Sequence, residues 1–401
     1  MKKELAIIGG GAAGFFAAIN IAEKNKDYNI SIYEGSNRLL SKVLISGGGR
    51  CNITNECKEP KVLVNHYPRG HKELLPAFTK FNCTHTYKWF ESRGLALKSE
   101  EDGRIFPKSN SSKSVYDLFI SLANKHKIQI ITSKRLTSLK PAPTHWVLEF
   151  GEENVHCDKI ILATGGNTQV WRMLENIGIP LVSWVPSLFT LKAANNDFKH
   201  LSGVSVNNAK LEIKGTKSFQ QGPFLVTHQG FSGPAVLKLS AWKAFELKDL
   251  QYEFVLVVNW IPDIDENEIS TEMMDFGNLN PKAKVINYKI PAVPKRLFQF
   301  LCKRAQIENY TNWSEFGKKG IKRLMDQLYR CELSIKGKNT FKEEFVTAGG
   351  VDLQSIDLER FESKKHAGLH FAGEILNIDA VTGGFNFQSA WTSAYLISQT
   401  F

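Results

Sequence analysis

Three glycines set close together, Gly9, Gly11 and Gly14, constrain this chain most strongly. They follow the apolar run Leu5-Ala6-Ile7-Ile8 and precede Phe15-Phe16-Ala17-Ala18-Ile19-Asn20-Ile21-Ala22. The first run is too short for a core helix and reads as a strand. The second has helical spacing of its apolar residues. Between them Gly9 permits a tight turn, Gly11 lets the backbone approach a pyrophosphate, and Gly14 lets the helix lie against its strand. Ala12 and Ala13 keep that approach open, and the helix N-terminus presents unbonded N–H groups and a positive dipole end to the phosphates. A second strand, Asn29–Glu34, ends in an acid about 20 residues after the last glycine. Glu34, followed by Gly35, is placed to accept ribose hydroxyls and to repel a 2′-phosphate. The β-α-β opening predicts a dinucleotide site. The competing reading is a glycine-rich turn in an ordinary α/β protein.

Further along, Ser46-Gly47-Gly48-Gly49-Arg50-Cys51-Asn52-Ile53-Thr54-Asn55 is too rich in glycine and polar residues for the interior of an element. It predicts a loop whose backbone comes close to something. Helical pieces follow over Leu74–Phe81, Tyr87–Arg93 and Ser114–Lys125, with a turn and short strand at Glu100–Pro107. Ile128–Thr132 and Trp146–Phe150 read as strands. Lys159–Gly166 is an apolar strand running into a glycine turn, which implies cover on both faces, as in a parallel sheet. After Pro186 the texture changes. Ala209–Lys214, Pro223–Thr227 and Tyr252–Val258 suggest an antiparallel or barrel-like insert, followed by a basic helical part at about 281–335. Leu369–Glu374 is again a strand ending in glycine, and a last helix begins after Gly383-Gly384. The expected organisation is one discontinuous α/β domain, 1–188 with 345–401, interrupted by a β-rich domain at 189–344. Three strand ends rich in glycine, at Gly9–Gly14, Ala163–Gly166 and Gly373-Glu374, imply one extended ligand across the carboxyl edge of a parallel sheet.

Composition excludes some classes. No Cys-x-x-Cys occurs, so neither a zinc site of that kind nor a two-cysteine redox centre is encoded, and no metal site is expected. No apolar run is long enough to span a bilayer, and charged Lys2, Lys3 and Glu4 lead directly into a strand, so a cytoplasmic protein without a membrane span is expected. The net charge is +11. Between Pro281 and Phe345 stand 15 Lys/Arg against 6 Asp/Glu, which raises nucleic acid as a partner. The favoured reading is the solvated face of ordinary helices, and nucleic acid is not the expected partner. Oligomeric state is not encoded.

The chain resembles the bacterial two-domain flavoproteins described as NAD(P)/FAD-dependent oxidoreductases, a group that includes a proposed bile-acid reductase. The resemblance rests on the Gly9 fingerprint, Lys42–Asn55, Gly103–Ser109, Ile161–Gly166, Thr227–Pro234, Val346–Val351, and Phe371–Leu376 leading to Gly383–Gln388. It departs at Asn377, where the family usually has an aspartate; Asp379 lies close by in sequence. The resemblance implies a Rossmann-like, glutathione-reductase-like FAD domain with the insert as a lid, and non-covalent FAD. Gly9, Gly11, Ala12, Ala13 and Gly14 would cradle the pyrophosphate, Glu34 and Gly35 the adenosine ribose, and Leu136 the adenine edge. Ala163, Thr164 and Gly165 would back the diphosphate, and Gly373, Glu374 and Asn377 the ribityl chain. Ser46, Gly47, Gly49, Arg50, Cys51 and Asn52 would border the flavin, as would Gly384, Phe385 and Asn386. Lys42 and Arg50 are the nearest positive charges along the sequence, and the last helix can aim its N–H groups at the pyrimidine oxygen.

Candidate catalytic residues are His228, as a proton donor or equally a turn histidine bonding its own loop, Arg50, and Cys51, for which packing leads over a thiolate or, paired with Cys57, a dithiol. Arg104 could clamp an acidic substrate or the flavin edge, or equally form an internal ion pair with the neighbouring acids. Ser232 is expected to cap a helix. The expected activity is hydride transfer through flavin N5 to a small molecule, with reduction of an activated C=C bond as the favoured reaction and NAD(P)H as a transient donor. No second fingerprint is present to hold that donor permanently. An RNA (tRNA)-acting flavoprotein and a non-catalytic flavin-binding protein are the alternatives.

Overall fold

The computed structural model describes residues 2–339 and 346–401. The chain divides into two compact units, Met1–Ser187 with Phe341–Phe401, and Leu188–Thr340.

The first unit is built on a seven-stranded sheet. Five of its strands are parallel, in the order Gln129–Ile131, Tyr28–Tyr33, Lys3–Ile8, Lys159–Leu162 and Leu369–Phe371. Two short antiparallel strands, Ile356–Asp357 and Glu362–Ser363, extend one edge. The central strands are buried along most of their length, which is why they read as continuous apolar runs instead of alternating ones. The first helix, Ala12–Lys24, is buried from Ala13 to Ala22. It has no polar face because the sheet lies on one side and a second helical layer on the other. Phe16 contacts Trp89 and Trp391 there, with ring centroids 4.4 and 5.1 Å apart. Its one buried amide, Asn20, donates to Phe16 O at 2.6 Å and accepts from Trp89 Nε1 at 3.0 Å. The last helix, Phe385–Ser398, is nearly as deeply buried. A three-stranded meander over Ser138–Pro141, Trp146–Phe150 and Glu153–Cys157 and a ribbon of Leu181–Ser187 with Val346–Val351 complete the unit.

The second unit is a closed barrel of six antiparallel strands: Thr190–Ala193, Gly230–Ser232, Phe219–Val226, Ser205–Ile213, Glu253–Asn259 and Cys331–Asn339. Three long helices, Glu266–Leu279, Lys295–Arg304 and Trp313–Tyr329, leave the barrel after its fifth strand and return at its sixth. The fold is therefore mixed α/β, a Rossmann-like unit interrupted by a barrel.

Candidate functional site: one sheet edge and two helix ends

Register places the chemistry. Ile131, Tyr33, Ile8, Leu162 and Phe371 pair in one continuous row, so five strands end level. The next residues along the chain at the three central strands are Gly9, Ala163-Thr164 and Ala372-Gly373-Glu374. Close approach is enforced by glycine. A Cβ on Gly14 would fall 2.1 Å from Gly9 O, and one on Gly9, which has φ +113°, would fall 2.4 Å from Ala163 O. Gly373 stands where a Cβ would sit 3.2 Å from that of Ala13 and 3.5 Å from that of Ala390. The first and last helices thus meet the closing strand at one point.

Both helices begin without a cap. Gly11 precedes the first helix, no side chain caps it, and the first backbone bond runs from Phe15 N to Gly11 O at 3.1 Å. The amides of Ala12, Ala13 and Gly14 accordingly have no acceptor within the helix. Gly384, at φ +90°, precedes the last helix, again with no side-chain cap, and Gln388 N to Gly384 O is the first bond. The amides of Phe385, Asn386 and Phe387 are left in the same state. Both ends carry the positive pole of their helix dipoles.

A buried polar network holds the second end in place. Gln388 Oε1 accepts from Thr54 Oγ1 at 2.6 Å and from Thr86 Oγ1 at 2.9 Å, while its Nε2 donates to Thr392 Oγ1 at 3.1 Å. Trp391 Nε1 donates to Ile53 O at 2.9 Å. The Asn52 amide lies 2.9 Å from both Gly384 N and Thr54 O, and the orientation that satisfies both has its oxygen accepting from Gly384 N and its nitrogen donating to Thr54 O. Tyr67 Oη donates to Phe385 O at 2.6 Å, and His66 stacks on the Phe385 ring at 4.0 Å. The glycine-rich loop, in which Gly47, Gly48, Gly49 and Cys51 all have positive φ, is thereby tied to the helix. Gln388, Thr54, Thr86, Trp391, His66 and Tyr67 were not singled out from sequence.

The remaining expected residues fall as follows. Glu34 accepts from Gly10 N at 2.9 Å and from Ser36 N at 2.8 Å, which fixes its carboxylate at the end of the second strand. Gly35 packs under Arg135, and Leu136 is buried beside it. Lys42 is ion-paired with Glu374, whose other oxygen accepts from Thr347 N at 2.9 Å. Arg50 binds Glu100 at 2.5 Å and lies 4.0 Å over the Phe106 ring. Both cations named from the sequence therefore have carboxylate partners. Two buried polar atoms in this region have no partner among the described residues: Thr164 Oγ1 and Asn377 Oδ1.

Some readings left open are narrowed by the structure and others are corrected. Cys51 is fully buried and burial pushes its thiol up to about 12, with Ser46 as its hydrogen-bond partner; this is a packing thiol, not a thiolate, and it forms no disulfide with Cys57. Arg104 is committed to Asp102 at 2.7 Å and Glu100 at 3.1 Å. Asp379 cannot stand in for the aspartate missing at Asn377, because it is fully buried against Arg69 and accepts from Ser187 Oγ at 2.7 Å. Ser232 ends a barrel strand instead of capping a helix. The cap of Pro234–Trp242 is Gly233, at φ +98°, where a Cβ would fall 2.7 Å from Pro223 O. His228 lies in the second unit, exposed on the turn that Thr227 and Gly230 close. Among the described residues no cluster of His, Cys, Asp or Glu suits a metal ion, and no helix is long and apolar enough to cross a membrane.

Comparison with known proteins fits this geometry. The family described as HI0933-like protein Rossmann domain matches residues 3–400. A 3-dehydro-bile acid delta(4,6)-reductase of Clostridium scindens is 28% identical, covering 98% of this chain and 97% of its own. A ribosomal RNA dihydrouridine synthase of Haemophilus influenzae is 26% identical, covering 97% and 96%. Among solved structures, a 3-ketosteroid delta1-dehydrogenase of Sterolibacterium denitrificans superposes with a TM-score of 0.51 at 10% identity over 100% of this chain and 99% of that one, a likeness of fold. With level strand ends, two uncapped helix termini and a fingerprint between them, the chain belongs to the HI0933-like Rossmann family of FAD-dependent oxidoreductases.

Proposed function

We propose that the protein reduces a carbon–carbon double bond conjugated to a carbonyl. The observation carrying this reading is the uncapped end of the first helix at the level sheet edge, with a second uncapped helix end at Gly384 and with Thr164 Oγ1 and Asn377 Oδ1 buried and unpartnered. That donor and acceptor set fits FAD. The Ala12, Ala13 and Gly14 amides would hold its pyrophosphate, Glu34 the adenosine ribose, Thr164 and Asn377 the connecting chain, and the Phe385–Phe387 amides the pyrimidine edge. When bound, FAD supplies the hydride that is delivered to one carbon of the double bond. The positive end of the last helix stabilises negative charge at the pyrimidine edge without titrating. The Gln388–Thr54–Thr86 network keeps that end fixed, so no reorganisation is needed as charge develops. A proton must reach the other carbon, and His228 or solvent is the proposed source. NAD(P)H is the proposed reductant, docking transiently, since the second unit is a barrel and not a second dinucleotide fold.

The names of the two relatives share this chemistry, since a delta(4,6)-reductase and a dihydrouridine synthase both saturate a ring double bond conjugated to a carbonyl. A small unsaturated molecule is the first reading of the substrate. A uracil ring carried on RNA is the second, favoured by the basic helical segment of the second unit. The test is anaerobic. The FAD-loaded protein should bleach with NADH or NADPH and recover its colour with a cyclic enone or with uridine-containing RNA. A protein that takes up no FAD, or whose reduced form neither acceptor reoxidises, overturns the proposal.

A further inference from the structure

We propose that the segment 281–339 of the second unit, two long helices and the strand Cys331–Asn339, carries an RNA-docking surface that grips phosphates with the face around Lys318, Lys319, Lys322 and Arg323 and stacks a base on Tyr310. This rests on the RNA-borne reading of the substrate above. Residues 281–339 hold 14 Lys/Arg against 4 Asp/Glu, while the rest of the chain holds 37 against 36. Nearly the whole net charge of +11 therefore sits in this segment. Among the described residues, only Arg330 and Lys336 of those fourteen have a carboxylate within ion-pair distance.

The placement of the charges is unfavourable for the fold. The helix Trp313–Tyr329 breaks at Gly317, where φ is +56° and ψ 178°, and restarts at Lys318. Lys318 and Lys319 then occupy the first turn of the new segment, at the positive end of its dipole, where cations destabilise. Lys318 with Lys322, and Lys319 with Arg323, are like charges at i,i+4, which also destabilise. All four are exposed, while Phe316, Ile321, Leu324 and Leu328 of the same helix are buried. Helix stability does not account for such an arrangement; an anionic partner does. The neighbouring helix Lys295–Arg304 joins the surface at its C-terminus, where Arg323 Nε donates to Ala305 O at 2.9 Å.

The partner is RNA and not a lipid surface, because a membrane-lying helix needs exposed apolar side chains beside its charges. Among the described residues of this segment the one large hydrophobic side chain that is exposed is Tyr310, 70% accessible in the loop between the two helices. A single exposed ring among cations suits base stacking.

The test uses the full, FAD-loaded chain and a fluorescein-labelled, uridine-rich RNA hairpin, with phosphatidylglycerol vesicles as a control. The variant K318Q/K319Q/K322Q should weaken RNA binding roughly 30- to 300-fold at 0.1 M salt and flatten the plot of log affinity against log salt by about 2 to 3, since each phosphate contact contributes about 0.7 to 0.9 to that slope. Its melting temperature should hold or rise, because repulsion within the helix is relieved, which separates lost binding from lost fold. Tyr310→Ala should weaken binding about tenfold with little change in slope. Equal RNA affinity of wild type and the triple variant at every salt concentration overturns the surface, and so does tighter binding of the vesicles than of the hairpin. Dihydrouridine formed equally fast by both proteins removes the surface and leaves the RNA-borne substrate standing. A wild type that turns over an enone but does not hold the hairpin removes both.

Discussion

Gly11 offers the sharpest test of the site. Its φ of −95° and ψ of −171° are open to any residue, and a Cβ built there meets no protein atom within 4 Å. Neither backbone strain nor packing demands glycine, so the only occupant a methyl group could offend is the ligand. Gly14 is the internal control, since a Cβ there falls 2.1 Å from Gly9 O, a collision with backbone that cannot rotate away. Gly11→Ala should leave the FAD-free protein within about 0.5 kcal/mol of wild type while weakening FAD by about 10- to 100-fold, or roughly 1.4 to 2.7 kcal/mol. Gly14→Ala should destabilise the FAD-free protein by about 1 to 3 kcal/mol through overpacking, lowering its melting temperature by about 2–4 °C per kcal/mol for a unit of this size. Circular-dichroism melts of the deflavinated proteins and quenching of flavin fluorescence on titration read the two effects separately. If Gly11→Ala binds FAD as wild type does, the first helix end does not face the pyrophosphate. If it melts several degrees lower without FAD, the site beside Gly11 is not open.

Other consequences follow from single groups. Thr164→Val removes a buried hydroxyl with no protein partner, so the FAD-free protein should melt no lower while FAD binds about 5- to 10-fold more weakly, a lost hydrogen bond being worth about 1 kcal/mol; unchanged affinity in the same titration would remove Thr164 from the cradle. His370 is fully buried, its Nδ1 lies 3.2 Å from Arg360 O, and burial pushes its pKa down to about 4. The unfolded imidazole titrates near ~6.5, so the folded state binds fewer protons, and stability is full above that pH and falls by about 3 kcal/mol as pH drops toward 4. Urea midpoints from pH 7.5 to 4.5 should show this slope in wild type and a flatter one in His370→Leu; parallel curves would contradict it. Of the six cysteines only Cys57 is not buried, so a thiol reagent should modify one residue quickly in the native protein, and Cys57→Ser should abolish that phase. Modification of Cys51 at a comparable rate would mean that its burial is wrong.

What could be read from the residues was whatever repeats locally. The glycine fingerprint, the apolar strands ending in glycine and the span of the last helix, Phe385–Ser398, depend on neighbours within a few positions. Interactions between distant residues were not legible. Gln388 meets Thr54 and Thr86 across 334 and 302 positions, and Arg69 meets Asp379 across 310; nothing in a single sequence marks such pairs. The helix Glu266–Leu279 was missed because only Ile269 and Met273 of it are buried, too few to show a period. The expectation for Ser232 failed because serine is a good cap by composition, whereas crowding by Pro223 O admits only glycine at the position that counts. For Cys51 nearness in sequence to the glycine loop left a thiolate open beside packing, and burial, which decides whether a thiol ionises, favours packing.

The missing caps are themselves informative. Serine, threonine, asparagine or aspartate before a helix typically stabilises it by about 1 kcal/mol over alanine; Asn82, Ser111, Asn167 and Asp265 each accept from the first turn of the helix they precede, while the helices after Gly70, Gly233, Pro294 and Asn312 begin without a side-chain cap. Before the first and last helices stands only glycine, Gly11 and Gly384. At Gly384 the left-handed backbone and the nearness of Thr54 O, 2.5 Å from a notional Cβ, account for the choice. At Gly11 neither applies, and a serine there would be tolerated by the backbone and would stabilise the empty protein. It would also bond the amides that an anion needs. Leaving those amides unbonded costs helix stability that a resident anionic ligand at this end would return. This makes Gly11 a stronger indication of permanent dinucleotide binding than the spacing of the three glycines, because spacing alone is satisfied by any tight turn.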